Sequence, residues 1–313
     1  MSEATIIQSY SADKARHGIV HWLTLLIGYP MLVLRQRELV WNFFRRELLG
    51  RFRGSFLGVF WVLIQPIFLF ALYYAVFGLL LGPKIRVGGV FKPDPEFAMF
   101  LFAGVLAWGS YAEATTRGCS VVVENGNLVK KVAFPCEVLP VHPVLTSLVV
   151  YLVGVVVLEI IGGVLGLVHL NGYAFAFPLV LVVHFAFTLG LGLLLANLQV
   201  FMRDTKELLG LANQALMFAS GTLITPQQIE GVSKGASDWI TWLPWFHLLQ
   251  AHRITLGVPT DSPPVRLTDS APMVAVEPEF FTHLGWSAAW ALLFIVVGYA
   301  SFMSRRHKFA DLV

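Results

Sequence analysis

Six long apolar runs constrain this sequence more than any other feature. A bilayer core of about 30 Å is crossed by about 20 residues of helix, so runs of this length predict membrane spans. The six predicted spans cover residues 56–81, 97–116 (or on to 123), 141–168, 175–200, 208–224 and 284–303. Only 13% of the 313 residues are charged, which excludes a water-facing globular surface. The sequence therefore predicts an all-α integral membrane protein with six transmembrane helices.

Two segments before the first predicted span are too short or too polar to cross a bilayer. Residues 19–34 contain His21 and Pro30, and we interpret them as interfacial, with a seventh span as the alternative. In residues 39–53 the large apolar side chains recur at helical spacing on one stripe, and most of the arginines lie off it. That stripe consists of Trp41, Phe44, Leu48 and Phe52. Residues 37–55 therefore form a predicted amphipathic interface helix, which either anchors the chain in anionic lipid or docks a partner.

The loop charges orient the chain and complete the predicted domain plan. Sixteen Lys and Arg residues fall in segments on the side of the N-terminus, and six fall on the other side. This bias places both termini in the cytoplasm. The predicted parts are an N-terminal extension (1–36), the interface helix (37–55), a six-span domain (56–303) with an outer loop (225–283), and a tail (304–313). Residues 239–257 are aromatic and too short to span, so we expect re-entrant or interfacial helices there.

Polar residues within the apolar runs predict a pathway and a buried pair. Pro66 removes a backbone donor and is expected to kink the first span, and Gln65 beside it is polar at membrane depth. Asn213 and Gln214 make the fifth predicted span the most polar. If the third and fourth spans form a hairpin, Glu159 and His184 lie at similar depth. We predict a structural hydrogen bond between them, with a substrate contact or a position facing water or lipid headgroups as the alternatives.

The sequence resembles a known family at several separate places. The segment 51–66 is similar to the first-span signature of ABC type-2 permeases that export polysaccharides. Its matching residues are Arg51, Ser55, Leu57, Gly58, Trp61 and Pro66, with Phe52 where the family usually has Tyr. The segment ENGNLVKKVAFPCEVLP (124–140) resembles the loop after the family's second span, and residues 203–204, 247–257 and the ending KFADLV also match. The extended N-terminus and the long outer loop depart from the pattern.

The chain lacks the motifs of an enzyme that acts alone. It has no GxxxxGK[ST] phosphate loop, no HExxH and no Cys/His cluster at zinc spacing, so we expect no catalytic residue, no metal and no cofactor in this chain. The resemblance implies a separate nucleotide-binding ATPase, two copies per complex, which would hold ATP and Mg. The short segment after the second span is bounded by Asn125 and by Phe134-Pro135, which suits a short helix, and the resemblance implies that this helix couples the two proteins. The coupling residues are predicted to be Asn125, Asn127, Leu128, Val129, Lys130, Lys131, Arg45, Arg46, Arg51 and Arg53; an ordinary basic loop is the alternative.

The resemblance also implies the remaining roles. We expect a homodimer in a bacterial inner membrane that exports a lipid-linked glycan such as O-antigen, capsule or teichoic acid, with membrane lipids around it and no nucleic acid partner. Pathway or kink residues are predicted to be Gly58, Phe60, Trp61, Gln65, Pro66, Asn213 and Gln214. Outer-gate residues are predicted to be His247, His252 and Arg253. The alternatives are a type-2 exporter of a drug or lipid, a membrane-embedded glycan-modifying enzyme, and a passive channel.

Overall fold

The computed structural model describes residues 19–51, 53–80, 84–87, 90–93, 95–131, 134–169, 171–223, 238–258 and 279–313. Predictions for residues 1–18, for Phe52 and Val132, and for most of the outer loop (224–237 and 259–278) fall outside these described residues. The described part is helical, as predicted, apart from one short antiparallel hairpin of β1 (Lys84–Val87) and β2 (Val90–Pro93), in which Lys84 is opposite Pro93.

Twelve α-helices follow one another in the described residues. They are α1 (Ile19–Arg35), α2 (Arg37–Gly50), α3 (Trp61–Tyr73), α4 (Pro95–Glu124), α5 (Gly126–Val129), α6 (Val141–Leu165), α7 (Phe177–Phe201), α8 (Thr205–Ala219), α9 (Asp238–Trp242), α10 (Pro244–Thr255), α11 (Phe280–Arg305) and α12 (Phe309–Leu312). Short 3-10 turns precede α3, α6, α7 and α12, and a π-helical stretch (Tyr74–Leu80) extends α3.

Five helical segments among the described residues are long and apolar enough to cross a membrane. They are Gly58–Leu80, Pro95–Glu124, Cys136–Leu165, Gly172–Phe201 and Phe280–Leu312. They coincide with five of the six predicted spans, and the second runs on past residue 116. The other predicted span, 208–224, overlaps α8, which has 15 residues, begins at Thr205 and ends before Ser220. The count of six spans therefore stays a prediction.

Helix α4 forms the centre of the subunit. Its candidate span is the most buried of the five, and it packs against α6 on one side and α7 on another. Its first half contacts α10, and its second half contacts α2 and α5 through residues described below. Because α4 extends between these two groups, the bundle has a basic end, which carries α2, α5 and α12, and an opposite end, which carries α10.

Helices α7 and α11 make the most extensive contact in the subunit. They cross at two glycines, and a side chain placed on Gly298 would collide with the carbonyl oxygen of Gly190. Small residues let helix backbones approach closely in membranes, where apolar burial gives little drive for association. One turn away from the crossing, Asn197 Nδ2 donates to Ser301 Oγ at 2.7 Å. This crossing holds the last candidate span in place.

Helix α2 buries a different face from the predicted apolar stripe. Val40 and Phe43 are buried, and the Phe43 ring stacks on His142 of α6 at 5.2 Å between ring centroids. Trp41 is 59% exposed, and its ring contacts that of Phe44 at 5.3 Å between ring centroids. The helix has two stripes with the same period, and packing against α6 selects the one that carries Glu47. Trp41 of the other stripe is left on the outside, where lipid can cover it, while Phe44 and Leu48 are half-buried.

Candidate functional site

A network of charged side chains joins α2 to α4 and α6 at the basic end. Glu47 of α2 is its centre: Oε2 lies 2.6 Å from His142 Nδ1, and Oε1 lies 3.3 Å from Arg117 Nη1. Arg51, one turn further along the chain, lies 3.6 Å from Glu47 and 2.8 Å from Glu113. Arg117 also lies 3.1 Å from Glu113. Three helices are therefore held together by alternating charges.

The electrostatics of Glu47 favour its charged form. Burial by itself would raise the pKa of this carboxyl, but the hydrogen bond with His142 and the positive charges of Arg117 and Arg51 outweigh it, so the pKa lies below its ordinary value. The glutamate is thus ionised at neutral pH. An ionised Glu47 can hold both arginines, which fixes α2 against the second half of α4.

The four predicted coupling arginines separate into two groups. Arg45, Arg46 and Arg53 are exposed, and the Arg46 guanidinium lies over the Phe43 ring at 4.8 Å from its centroid. Arg51 has only 14% of its side chain exposed and is paired with Glu113. The structure corrects the surface position predicted for Arg51, because its charge is satisfied within the subunit. A docking role for the three exposed arginines stays a prediction.

The predicted coupling segment forms a short helix, as expected, but its apolar side chains face inward. Asn125 Nδ2 donates to the carbonyl of Val121, which ends α4 where α5 begins. Leu128 and Val129 are half-buried and pack against the subunit's own core together with Val313. The exposed members of the segment are Asn127, Lys130 and Lys131. A partner would therefore meet these polar and basic side chains, and not the two apolar residues.

The predicted pathway residues of the first span lie on an open face. Phe60 and Trp61 are 69% and 43% exposed, and Gln65 is also exposed, whereas Pro66 is buried. Gly58 precedes them with a left-handed φ of +51°, which glycine adopts without strain. Helix α3 continues through Pro66. The predicted kink and the pathway role stay predictions.

The two polar residues predicted to line the pathway on the fifth span differ in their surroundings. Asn213 of α8 is buried, and its Oδ1 has no hydrogen-bond partner in the described part of the chain. Its neighbour Gln214 is exposed. Helix α8 packs against α4 and α7, so Asn213 faces the subunit and Gln214 faces away from it. Of the two, only Gln214 is available to a pathway outside this subunit.

Arg253, predicted to lie at an outer gate, is a buried anchor at the opposite end of the bundle. It is fully buried and donates to the carbonyls of Phe100, Gly221 and Thr222 at 3.2, 3.0 and 3.0 Å. Its guanidinium stacks on the Phe100 ring at 3.5 Å, and a side chain on Gly104 would collide with it. Arg253 therefore ties α10 to α4 and to the turn after α8.

The predicted pair of Glu159 and His184 does not form. His184 Nδ1 lies 2.9 Å from His252 Nε2, and the other ring nitrogen of His252 lies 2.8 Å from the Tyr151 hydroxyl. Glu159 Oε1 has no hydrogen-bond partner among the described residues. The prediction was wrong because α6 packs mainly on α4, whereas α7 packs on α11 and α4, so consecutive helices are not the closest partners.

The predicted gate histidines are also buried. His252 is fully buried between His184 and Tyr151. His247 is 8% exposed, lies 2.8 Å from His283 through their Nδ1 atoms, and stacks on Trp286. These contacts join α10 to its neighbours. A gate role for them stays a prediction.

The roles of the acidic residues Glu47, Glu113 and Glu137 at the basic end were not predicted from the sequence. Glu47 recurs with Val40 and Phe43 at helical spacing, so the second stripe of α2 could have been found. Glu113 and Arg117 are spaced i, i+4, which favours their 3.1 Å contact. Glu137 lies within the quoted 124–140 segment and pairs with Arg306 at 2.8 Å. No group of three or more metal-ligating side chains occurs within the described residues.

Comparison with known proteins assigns most of these elements to one family. The family model described as ABC-2 type transporter matches residues 38–255, which run from α2 to α10. The chain is 26% identical over 275 residues to the O-antigen export system permease protein RfbA of Myxococcus xanthus, covering 88% of this chain and 95% of that protein. It is also 23% identical over 184 residues to a protein of that name from Klebsiella pneumoniae, covering 59% of this chain and 68% of the relative.

Proposed function

This chain belongs to the ABC-2 type transporter family, and from that premise we propose that it is the transmembrane permease subunit of an ATP-driven polysaccharide exporter. The single observation that carries this proposal is the family match over residues 38–255, which contains α2, α5 and four of the five candidate spans. The names of the relatives from Myxococcus xanthus and Klebsiella pneumoniae support a glycan as cargo. The chain supplies the membrane path, and a separate ATPase supplies the energy.

The basic end is the proposed docking surface for that ATPase. Asn127, Lys130 and Lys131 are exposed directly after α4, and Arg45 and Arg46 are exposed on α2. The Glu47 network ties α2 to α4 and α6, and α5 is joined directly to the end of α4, where Asn125 donates to the carbonyl of Val121. A push on α2 would therefore reach α4 and α6 through short ionic contacts, and a push on α5 would reach α4 directly, without bending a flexible linker.

The proposed assembly contains two permeases and two ATPases in a bacterial inner membrane, with both termini in the cytoplasm. The excess of Lys and Arg on the side of α2 and α5 supports this orientation. The open face of α3, with Phe60 and Trp61, supports a second permease or the cargo as its neighbour. Aromatic faces allow a sugar to stack and move on without fixed hydrogen bonds. The cargo is proposed to be a lipid-linked glycan.

Charge reversal tests the docking surface. The permease is coexpressed with the ATPase encoded beside it, and copurification and surface glycan are both measured. Lys130→Glu with Lys131→Glu should lose ATPase capture and export, because both side chains are exposed and contribute nothing to the core. Arg203→Glu with Lys206→Glu makes the same charge change at another exposed basic pair and is the control. Equal capture by both variants and the wild type would contradict the docking surface.

Measurement of surface glycan also distinguishes a polysaccharide exporter from an exporter of a drug or lipid. Capture of the ATPase without any change in surface glycan on deletion of the permease would favour a drug or lipid exporter. Labelling tests the orientation: Lys130→Cys should react with an impermeant thiol reagent only after the membrane is opened. Reaction at Lys130→Cys in intact spheroplasts would reverse the proposed topology.

A further inference from the structure

The segment 306–313, which follows α11, contacts the chain between α4 and α6 at two points. At the first point Val313 lies on Gly126, the first residue of α5. A Cβ added to Gly126 would lie 3.3 Å from the Val313 Cβ and 3.4 Å from its Cγ2, which is tighter than ordinary packing. Leu128 and Val129 pack into the same cluster as Val313. The glycine leaves room for a side chain from the far end of the sequence.

The second contact is a buried ion pair at the other end of the same segment. Arg306 Nη1 donates to Glu137 Oε1 at 2.8 Å, and only 5% of the Glu137 side chain is exposed. The backbone carbonyl of Glu137 also accepts a hydrogen bond from the Tyr29 hydroxyl at 2.9 Å. Glu137 is thereby fixed to α11 through Arg306 and to α1 through Tyr29.

Aromatic packing fixes segment 306–313 itself. Phe309 is fully buried, and its ring meets Phe302 of α11 edge-on at 5.0 Å. On the other side it lies 6.3 Å from Phe201, at the end of α7. The segment is therefore continuous with α11 and cannot move freely of it. Two neighbouring helices hold the platform on which α5 rests.

We infer that segment 306–313 is a clamp that makes α11 move with the coupling helix α5. Residues 126 and 137 are held by one platform, through Val313 at one end and Arg306 at the other. A displacement of α5 is passed to α4, to which it is directly joined, and also to the last span. The coupling role of segment 306–313 rests on the proposed function, but the contact between Gly126 and Val313 can be tested without it.

A pair of cysteines tests the contact. In Gly126→Cys with Val313→Cys the two Cβ atoms would lie close to the separation of about 3.5–4.5 Å that disulfides require. The native thiols Cys119 and Cys136 are buried. Mild oxidation of the purified permease–ATPase complex should give the 126–313 disulfide in most molecules, detected by peptide mass spectrometry. Gly109→Cys with Val313→Cys is the control, since nothing lies within 4 Å of a side chain at Gly109. Equal cross-linking of both pairs, or none at 126–313, would overturn the contact.

The same disulfide tests the clamp. If α5 and segment 306–313 move together, locking them leaves glycan export by the complex in proteoliposomes unchanged from the reduced protein. Export that is lost on oxidation and recovered with reductant would show that the two must separate, and the clamp would be rejected. A wild-type complex that captures no ATPase would instead refute the proposed function, and the cross-link would still decide the contact.

Removal of the contacts of segment 306–313 should have the opposite effect on export. Val313→Gly with Arg306→Gln should keep ATPase capture, because Lys130 and Lys131 remain exposed, but it should lose export. Val313→Gly alone, which removes a single partly buried side chain, provides the same measurement if the double variant does not accumulate. Export at the wild-type level in the variant that accumulates would overturn the inference.

Discussion

The two ends of the bundle hold their buried charges in different ways. At the basic end, Glu47 is surrounded by His142, Arg51 and Arg117, and each carboxylate and guanidinium of the network has at least two partners. At the opposite end, Arg253 is fully buried and donates mainly to backbone carbonyls, those of Phe100, Gly221 and Thr222.

This difference indicates which of the two ends of the bundle is able to rearrange. Backbone carbonyls belong to helices and turns and cannot leave Arg253 without unfolding them, so this anchor is fixed. The carboxylates and guanidiniums around Glu47 can exchange partners at low cost because several alternatives lie within reach and water can replace a lost contact. A fixed opposite end and an adjustable basic end suit a protein that receives a push at one end only.

Loss of the fixed anchor should have the largest effect on stability. Arg253→Gln leaves buried carbonyls of Phe100, Gly221 and Thr222 without donors, and each buried acceptor left unsatisfied costs about 1–3 kcal/mol. Thermal unfolding of the purified protein in detergent measures the loss. Arg203→Gln, at an exposed arginine, is the matched control. A shift no larger than that of the control would show that Arg253 is not an anchor.

Neutralising the centre of the adjustable network should cost less. Glu47→Gln keeps the shape of the side chain but leaves Arg51 and Arg117 with Glu113 alone. Because that pairing survives, we expect a loss of about 1–3 kcal/mol, as for one buried group left partly unsatisfied. The same unfolding assay measures it. A loss as large as that of Arg253→Gln would erase the distinction between the two ends.

Acid should remove the contribution of Glu47 and leave that of Arg253. The pKa of Glu47 in the folded protein lies below its ordinary value of 4.5, so its stabilisation is present above that value and is lost as pH falls through the folded pKa. The difference in stability between the wild type and Glu47→Gln should therefore shrink below pH 4.5. The difference for Arg253→Gln should not shrink with it. Parallel pH profiles for both variants would contradict this assignment.

The smallest effect is expected at the rim of the network. Arg117 is 45% exposed, and an exposed ion pair contributes about 0–1 kcal/mol because water and salt screen it. Arg117→Ala should thus lower the unfolding temperature only slightly, and added salt should reduce the difference further. A large, salt-independent loss would mean that Arg117 is a fixed part of the structure, like Arg253.

The pattern and length of the apolar runs alone were enough to predict most of the candidate transmembrane segments. Apolar runs predicted the five candidate spans to within a few residues at most boundaries, because burial in lipid requires about 20 apolar residues whatever the neighbours are. The short helix α5 followed from Asn125 and the break before Phe134-Pro135. The family resemblance, carried by residues far apart in the sequence, agreed with the family match over 38–255.

Tertiary structure decided which faces and partners these helices use. The spacing of apolar residues identifies a helix but does not show which of its two stripes is buried. The stripe of α2 that carries Glu47 was therefore missed in favour of the stripe with Trp41. The similar predicted depth of Glu159 and His184 in the membrane suggested that they pair. Because α7 packs on α11 and α4, His184 lies next to His252 instead. The acceptors of Arg253 are backbone carbonyls from distant segments, which no side-chain motif reveals, so its role as an anchor could be found only in the packed bundle. A sequence specifies how far each helix extends into the bilayer, but only the packed bundle determines which residues meet.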